Sequence, residues 1–203
     1  MNGGSKLILS QREMELVTNT DWILTKRAII EKVNELFGLL AERSREIIKE
    51  QSFLPATVRA STPKIAKGEN YQLLPYVILD YPRCFERDNI FAVRTMFWWG
   101  NFFSCTLHLS GRYKLEFEQA LIKNWELLQQ NDLYICVNTK EWEHHFEQDN
   151  YTAVKAIDRQ DLAAMINGQP FIKLAVKFSL QQWHEIDVLL EKSFVTVIQL
   201  LQY

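Results

Sequence analysis

A run of aromatic, hydroxyl and imidazole side chains in the middle of the chain is the feature best suited to binding or chemistry. It covers residues 90–109, and its two halves, rich in Val, Thr, Phe and Trp, meet at Gly100 and Asn101. A Gly-Asn pair between such halves predicts a β-hairpin, with Gly100 at the first position of a type II′ turn. Because side chains alternate along a strand, this turn predicts which of them share a face.

One predicted face of the hairpin is mixed in character. A two-residue turn places Trp99 opposite Phe102 and brings His108 to the same side as several hydroxyl groups. Apolar walls with a few polar groups are typical of small-molecule pockets. The candidate ligand-binding residues are therefore Thr95, Phe97, Trp99, Phe102, Ser104, Thr106 and His108. The alternative is that these cross-strand pairs do no more than stabilise the sheet.

The other predicted face is almost entirely apolar and is expected to meet the core. Arg94 is its exception and needs an anionic partner, for which Asp80 or a glutamate is suited. On this register Arg94 and His108 lie on opposite faces. That separation argues against an enzyme in which His108 is the acid or base while Arg94, Arg83 or Lys64 holds an anionic group.

Nucleophile-elbow, zinc-protease and phosphate-loop motifs are absent from the sequence. No catalytic residue is assigned and no cofactor is expected. Glu141 and His145, or His145 and Asp149, would share a face if residues 140–148 formed a helix. An exposed polar helix explains this cluster better than a metal site does, so no metal is predicted.

The aromatic residues beside the turn are also suited to an interface, because Trp and Phe are enriched at the centres of protein contacts. The interface candidates are Trp98, Trp99, Phe102 and Phe103. The leading functional hypothesis is a cytosolic binding or interaction protein that forms a homodimer through this hairpin. The alternative is a small enzyme or small-ligand-binding protein with a pocket on the mixed face.

Composition restricts the partners and the location. A formal net charge of −2 over 203 residues disfavours nucleic acid, and three scattered cysteines favour reduced thiols in the cytoplasm. The apolar run 7–9 is too short for a secretory signal. The stretch 95–111, which lacks charged residues, is better explained by the hairpin than by a membrane span. Length indicates a single domain over 1–203.

Periodic patterns predict the surrounding elements. Helices are expected over 11–18 and from Asp21, after a cap at Asn19 or Thr20, to a point before Pro55. They could pack on the protein's own sheet, on each other or on a partner chain, and the first is favoured. Residues 55–74, which are interrupted by Pro and Gly, predict a long surface connection.

Towards the end of the chain, Phe171 to Phe178 alternates as a strand, with Lys173, Ala175 and Lys177 on its wetter side. Ser179 begins a capping box at the start of the last helix. Together these patterns predict an α+β fold, with a mainly antiparallel sheet of about 4–6 strands covered by long N-terminal and C-terminal helices.

Overall fold

A computed structural model describes residues 7–203, and within them seven strands form one antiparallel sheet in the order β1-β2-β3-β4-β7-β5-β6. The strands are β1 (Lys64–Tyr71), β2 (Leu74–Phe85), β3 (Ile90–Trp98), β4 (Phe102–Ser110), β5 (Tyr134–Cys136), β6 (Tyr151–Ala153) and β7 (Phe171–Ser179). The helices are α1 (Gln11–Thr18), α2 (Thr20–Lys49), α3 (Ala56–Arg59), α4 (Gly111–Lys123), α5 (Trp125–Gln130), α6 (Arg159–Gly168) and α7 (Ile186–Gln199). Short 3-10 helices span Val154–Ala156 and Leu180–Glu185. The predicted domain, 1–203, includes residues 1–6, which lie outside the described residues.

The α+β class is confirmed, and the sheet has one strand more than the upper end of the predicted range. The extra strand is β1, which lies with α3 inside the 55–74 stretch predicted to be a connection. The prediction failed because Lys64, Lys67 and Gly68 weaken the strand pattern. Exposed charges of this kind suit an edge strand, which has a neighbour on one side. None of the helices within residues 7–203 is long and apolar enough to cross a membrane.

The main core lies between one face of the sheet and helices α2, α4 and α7. The Asn19 side chain accepts a hydrogen bond from the Trp22 backbone N–H and so begins α2, as the sequence predicts. Buried residues of α2 start at Val33, while α1 has none. The favoured prediction, that both N-terminal helices pack on the protein's own sheet, is therefore wrong for α1.

The hairpin forms, but its predicted register is wrong by one residue. Trp98 pairs with Phe102, so the loop consists of three residues, with Trp99 preceding Gly100 and Asn101. The Asn101 N–H donates to the Trp98 carbonyl oxygen at 3.1 Å. Gly100, with a φ of 70°, occupies the third position of this turn, where a type II turn requires a positive φ.

The corrected register divides the predicted mixed face between the two sides of the sheet. Thr95 and Phe97 point to the helices, together with Phe103 and Cys105. The opposite side, which we call the polar face, carries Arg94, Met96, Trp98, Phe102, Ser104, Thr106 and His108.

The polar face is covered by residues 137–150, which connect β5 to β6 and which we call the covering segment. The helix predicted over 140–148 is wrong, because this segment has an irregular backbone. Its Phe146 packs against Phe102 and Tyr151. The predicted wetter side of β7 is consequently dry at Lys173 and Ala175, which are buried, while Lys177 remains exposed.

Candidate functional site

Antiparallel pairing brings charged and polar side chains together in two adjacent rows on the polar face. The first row runs across four strands through Asp80, Arg94, Thr106 and Ala175, and the second runs through Ala92, His108 and Lys173. Arg94 and His108 therefore share a face, and their predicted separation is wrong. With His144 of the covering segment, they form what we call the polar cluster: Asp80, Arg94, Thr106, His108, His144 and Lys173.

Arg94 is held by a two-point ion pair, which confirms Asp80 as its partner. The Nε and Nη2 atoms of Arg94 donate to the two carboxylate oxygens of Asp80 at 2.7 and 2.9 Å. Nη1 of Arg94 lies 3.1 Å from Nε2 of His144. Because a guanidinium can only donate, Nε2 of His144 accepts this hydrogen bond and the neutral ring carries its proton on Nδ1.

Lys173 is the charged residue of the cluster that lacks an ion-pair partner among the described residues. It is 1% exposed, and its ammonium group donates to the backbone carbonyl of Glu143. Among residues 7–203, no carboxylate lies within ion-pair distance of this ammonium group. Burial, which disfavours the charged form, lowers the pKa of Lys173 to about 8.

Both histidines of the cluster are neutral at neutral pH. Burial, reinforced by the positive charges of Lys173 and Arg94, lowers the pKa of His108 to about 3. Burial also holds the pKa of His144 well below its ordinary value. Nε2 of His108 lies 3.2 Å from a carboxylate oxygen of Glu141, so this nitrogen carries the proton and Nδ1 is free to accept a hydrogen bond.

A small cavity of about 10 Å³ lies inside the cluster, which is close to the space that one water molecule needs. Its lining consists of Phe85, Ala92, Arg94, Thr106, His108, Trp142, His144 and Lys173. Trp142 is 47% exposed and therefore lies between the cavity and solvent. Any larger molecule can reach these side chains only if Trp142 and the covering segment move.

Side chains rather than regular backbone pairing hold the covering segment in place. The Tyr71 hydroxyl accepts hydrogen bonds from the backbone N–H groups of His144 and His145 at 2.7 and 3.0 Å. Phe146 stacks on Tyr151 with ring centroids 4.6 Å apart. Trp142 lies 5.6 Å below the Arg94 guanidinium and 5.3 Å from the His108 ring. The segment thus supplies one wall of the cavity.

The structure brings four of the seven candidate ligand-binding residues to the polar face. Thr106 and His108 line the cavity, while Ser104 and Phe102 lie farther along β4. Thr95, Phe97 and Trp99 lie on the helix side. Sequence reasoning missed Lys173 and His144, because nothing in strand alternation shows which irregular segment covers a face.

The four interface candidates are engaged within the chain. Trp98 is 4% exposed and contacts Tyr71, and Phe103 is fully buried beside Phe97 and Trp183. Trp99 and Phe102 are half-buried. The tip of the hairpin therefore offers little free aromatic surface in this conformation.

A metal centre and a larger groove are the two alternatives to the polar cluster, and both are weaker. Within residues 7–203, no three His, Cys, Asp or Glu side chains are arranged to hold a metal ion. A groove of about 360 Å³ lies beside β7 and α7, but its charged members, Asp132, Lys177 and Lys192, are exposed to solvent. Exposed charges bind ions weakly, so the polar cluster is the stronger candidate despite its smaller cavity.

Comparison of the chain with protein families, with curated proteins and with solved structures gave no match.

Proposed function

We propose that this protein binds a small molecule carrying an anionic group, such as a carboxylate or a phosphate, in the polar cluster beneath the covering segment. The observation that carries the proposal is the ammonium group of Lys173, buried beside a cavity without a carboxylate partner among the described residues. A buried charge without an anionic partner is costly, and an anion admitted when Trp142 and the covering segment move would relieve that cost.

The burial of the cations and the exposure of the rim carboxylates favour an anionic ligand inside the cluster. Arg94 and Lys173 contribute two cations, whereas Asp80 is the buried carboxylate and is already paired with Arg94. Glu141 and Glu143 stand at the rim, with side chains about one-third exposed. An incoming anion would meet the ammonium group of Lys173, which donates to the Glu143 carbonyl and lies 5.3 Å from the centre of the Tyr151 ring.

Binding of acetate and inorganic phosphate to wild type and to Lys173→Met tests this proposal. Either anion at about ten times its Kd should raise the Tm of the wild type by roughly 3–5 °C, and Lys173→Met should abolish the shift. Lys177→Met is the matched control, since Lys177 lies on the same strand and face but is exposed. Equal shifts in wild type and Lys173→Met, or no shift in any protein, would refute the proposal.

A reaction on the bound molecule is a second candidate, because Lys173 is a buried amine that lines the cavity and its pKa is lowered to about 8. A proton acceptor works best when its pKa lies near the working pH, which Lys173 approaches and His108, at about 3, does not. We therefore assign any acid or base role at this site to Lys173 rather than to His108. Labelling of amines with a water-soluble aldehyde and borohydride at pH 8 should then modify Lys173 when the covering segment opens.

A cytoplasmic location stays part of the proposal, and it is supported by the free thiols of Cys84, Cys105 and Cys136. Homodimer formation through the hairpin also stays a prediction. It would require Trp98 and Phe103 to leave the contacts they make within the chain.

A further inference from the structure

The N-terminal arm, which we define as residues 9–32, is only partly covered by the fold. Ile29 and Ile30 pack against the core and Lys26 pairs with Glu69, whereas every residue from 9 to 24 is exposed. None of its residues is buried. Its large apolar side chains between residues 9 and 24 are 45–58% exposed, and they are Leu9, Met14, Leu16, Val17, Trp22, Ile23 and Leu24. Contiguous exposed apolar surface on a soluble protein usually marks an interface.

The sequence nevertheless specifies the helices of the arm in detail. Ser10 and Glu13 form a capping box at the start of α1, and Asn19 caps α2. An isolated helix of eight residues is marginal in water, so α1 needs a tertiary contact to be stable. Within the described chain, no residue of α1 is buried, so a contact with another molecule would stabilise this helix.

The core-facing stripe of α2 also continues beyond the point where the sheet ends. Trp22, Ile29 and Val33 follow the spacing i, i+7, i+11, which keeps them on one side of a helix. Val33 is fully buried, Ile29 is half-buried and Trp22 is 45% exposed. The apolar stripe thus runs from the protein's own core into solvent.

The two ends of the arm differ in net charge, and at the basic end Lys26 and Arg27 also pair with Glu69 and Glu31 within the chain. Residues 12–21 contain one basic and three acidic side chains, and residues 26–32 contain three basic and one acidic. A two-fold symmetric contact requires a surface that is complementary to itself. Antiparallel pairing of two arms would place each acidic stretch against the basic stretch of the other chain, with Trp22 near the two-fold axis.

We propose that the N-terminal arm pairs with the arm of a second copy of this chain, in antiparallel orientation, to form a homodimer. A standard interface buries about 800 Å² per partner, to which the apolar side chains on one face of the arm and the charged residues beside them would both contribute. This surface is independent of the polar cluster, so each proposal can fail without the other.

Sedimentation equilibrium of wild type, Trp22→Glu and Val188→Glu tests the pairing. The wild type should be a dimer at about 100 µM chain, and Trp22→Glu should weaken dimerisation at least 30-fold, as expected for a central aromatic residue. Val188, on α7, is 62% exposed, and its change to Glu should have no effect. A monomeric wild type, or a Trp22→Glu variant that dimerises like wild type, would overturn the proposal.

Charge reversal tests the antiparallel orientation. Glu15→Lys and Lys32→Glu should each weaken dimerisation about fivefold at low salt, since every change occurs twice per dimer. The double variant Glu15→Lys/Lys32→Glu should restore the wild-type Kd. Absence of this restoration, with circular dichroism unchanged, would overturn antiparallel pairing of the arms.

Discussion

Arg94 and Asp80 are cross-strand neighbours on β3 and β2, and the guanidinium of Arg94 donates to both carboxylate oxygens of Asp80. The side chains are 16% and 7% exposed, so the pair is shielded from water on the polar face. Geometry of this kind orients the guanidinium and leaves Nη1 directed at His144. The position of the covering segment thus depends in part on a pair of residues in the sheet.

Removing one partner of this pair should be more harmful than removing both. Asp80→Ala leaves the Arg94 cation buried and unpaired, and we expect it to lower the free energy of unfolding by about 3–5 kcal/mol. Asp80→Leu/Arg94→Met should cost less, about 1–3 kcal/mol, because an apolar pair can replace the buried ion pair but leaves Nε2 of His144 without its donor. Urea denaturation measures both values.

The matched control for this pair is Glu46→Ala, which breaks the exposed ion pair of Glu46 with Lys49 on α2. It should cost less than about 0.5 kcal/mol. If Asp80→Ala cost no more than Glu46→Ala, the pair would have no structural importance.

The same pair shows what the sequence could and could not predict. An arginine amid apolar neighbours predicted a nearby carboxylate, and local patterns predicted the hairpin, the helix caps and the α+β class. The hairpin loop contains three residues rather than the predicted two, because Gly100 takes the third rather than the second position of its turn. Since side chains alternate with a period of two, that single residue moved Arg94 to the side of His108.

The burial of Lys173 by the covering segment could not be predicted, for a different reason. Alternation correctly places Lys173 on the side of β7 away from the helices, but it does not reveal what covers that side. Residues 137–150 have no regular periodicity, and their position depends on contacts with Tyr71, on β1, which is distant in sequence. Such non-local contacts cannot be recognised from a local sequence pattern.

Acid should destabilise the protein through its buried histidines. In the native state His108 binds a proton only near pH 3, whereas in the unfolded chain it does so near pH 6.5. Unfolding therefore takes up a proton between these values. The stabilising contribution is complete above pH 6.5 and decreases by about 1.4 kcal/mol per pH unit as the pH falls towards 3. His144 changes stability in the same direction.

Urea denaturation at several pH values between 7 and 5 measures this slope in wild type and in His108→Gln. Between pH 7 and 5 the variant should lose about 2 kcal/mol less than wild type in total, whatever its stability at pH 7. His184 is exposed, and His184→Gln should keep the wild-type slope. Identical slopes in wild type and His108→Gln would contradict the burial of His108 as a neutral ring.

The Tyr71 hydroxyl should control the opening of the covering segment. Tyr71→Phe leaves the backbone N–H groups of His144 and His145 without their acceptor, at a cost of about 1–3 kcal/mol. We expect hydrogen exchange within residues 137–150 to become about tenfold faster or more. Tyr76→Phe is the control, because among residues 7–203 the Tyr76 ring contacts Tyr71 without a hydroxyl bond to the segment. Unchanged exchange in Tyr71→Phe would show that other contacts hold the segment.

The affinity for an anion should fall as the pH rises through the pKa of Lys173. Lys173 is protonated below about pH 8 and can then pair with the anion, while its neutral amine above that pH cannot. A bound anion favours the charged form, so binding takes up a proton when the free lysine is partly neutral. Acetate, which does not titrate in this range, should bind about tenfold more weakly for each pH unit above 8, until the pKa of the complex is reached. Calorimetry in two buffers of different ionisation enthalpy measures both the affinity and the proton uptake, and an acetate affinity independent of pH between 7 and 10 would exclude Lys173 as the cation that binds it.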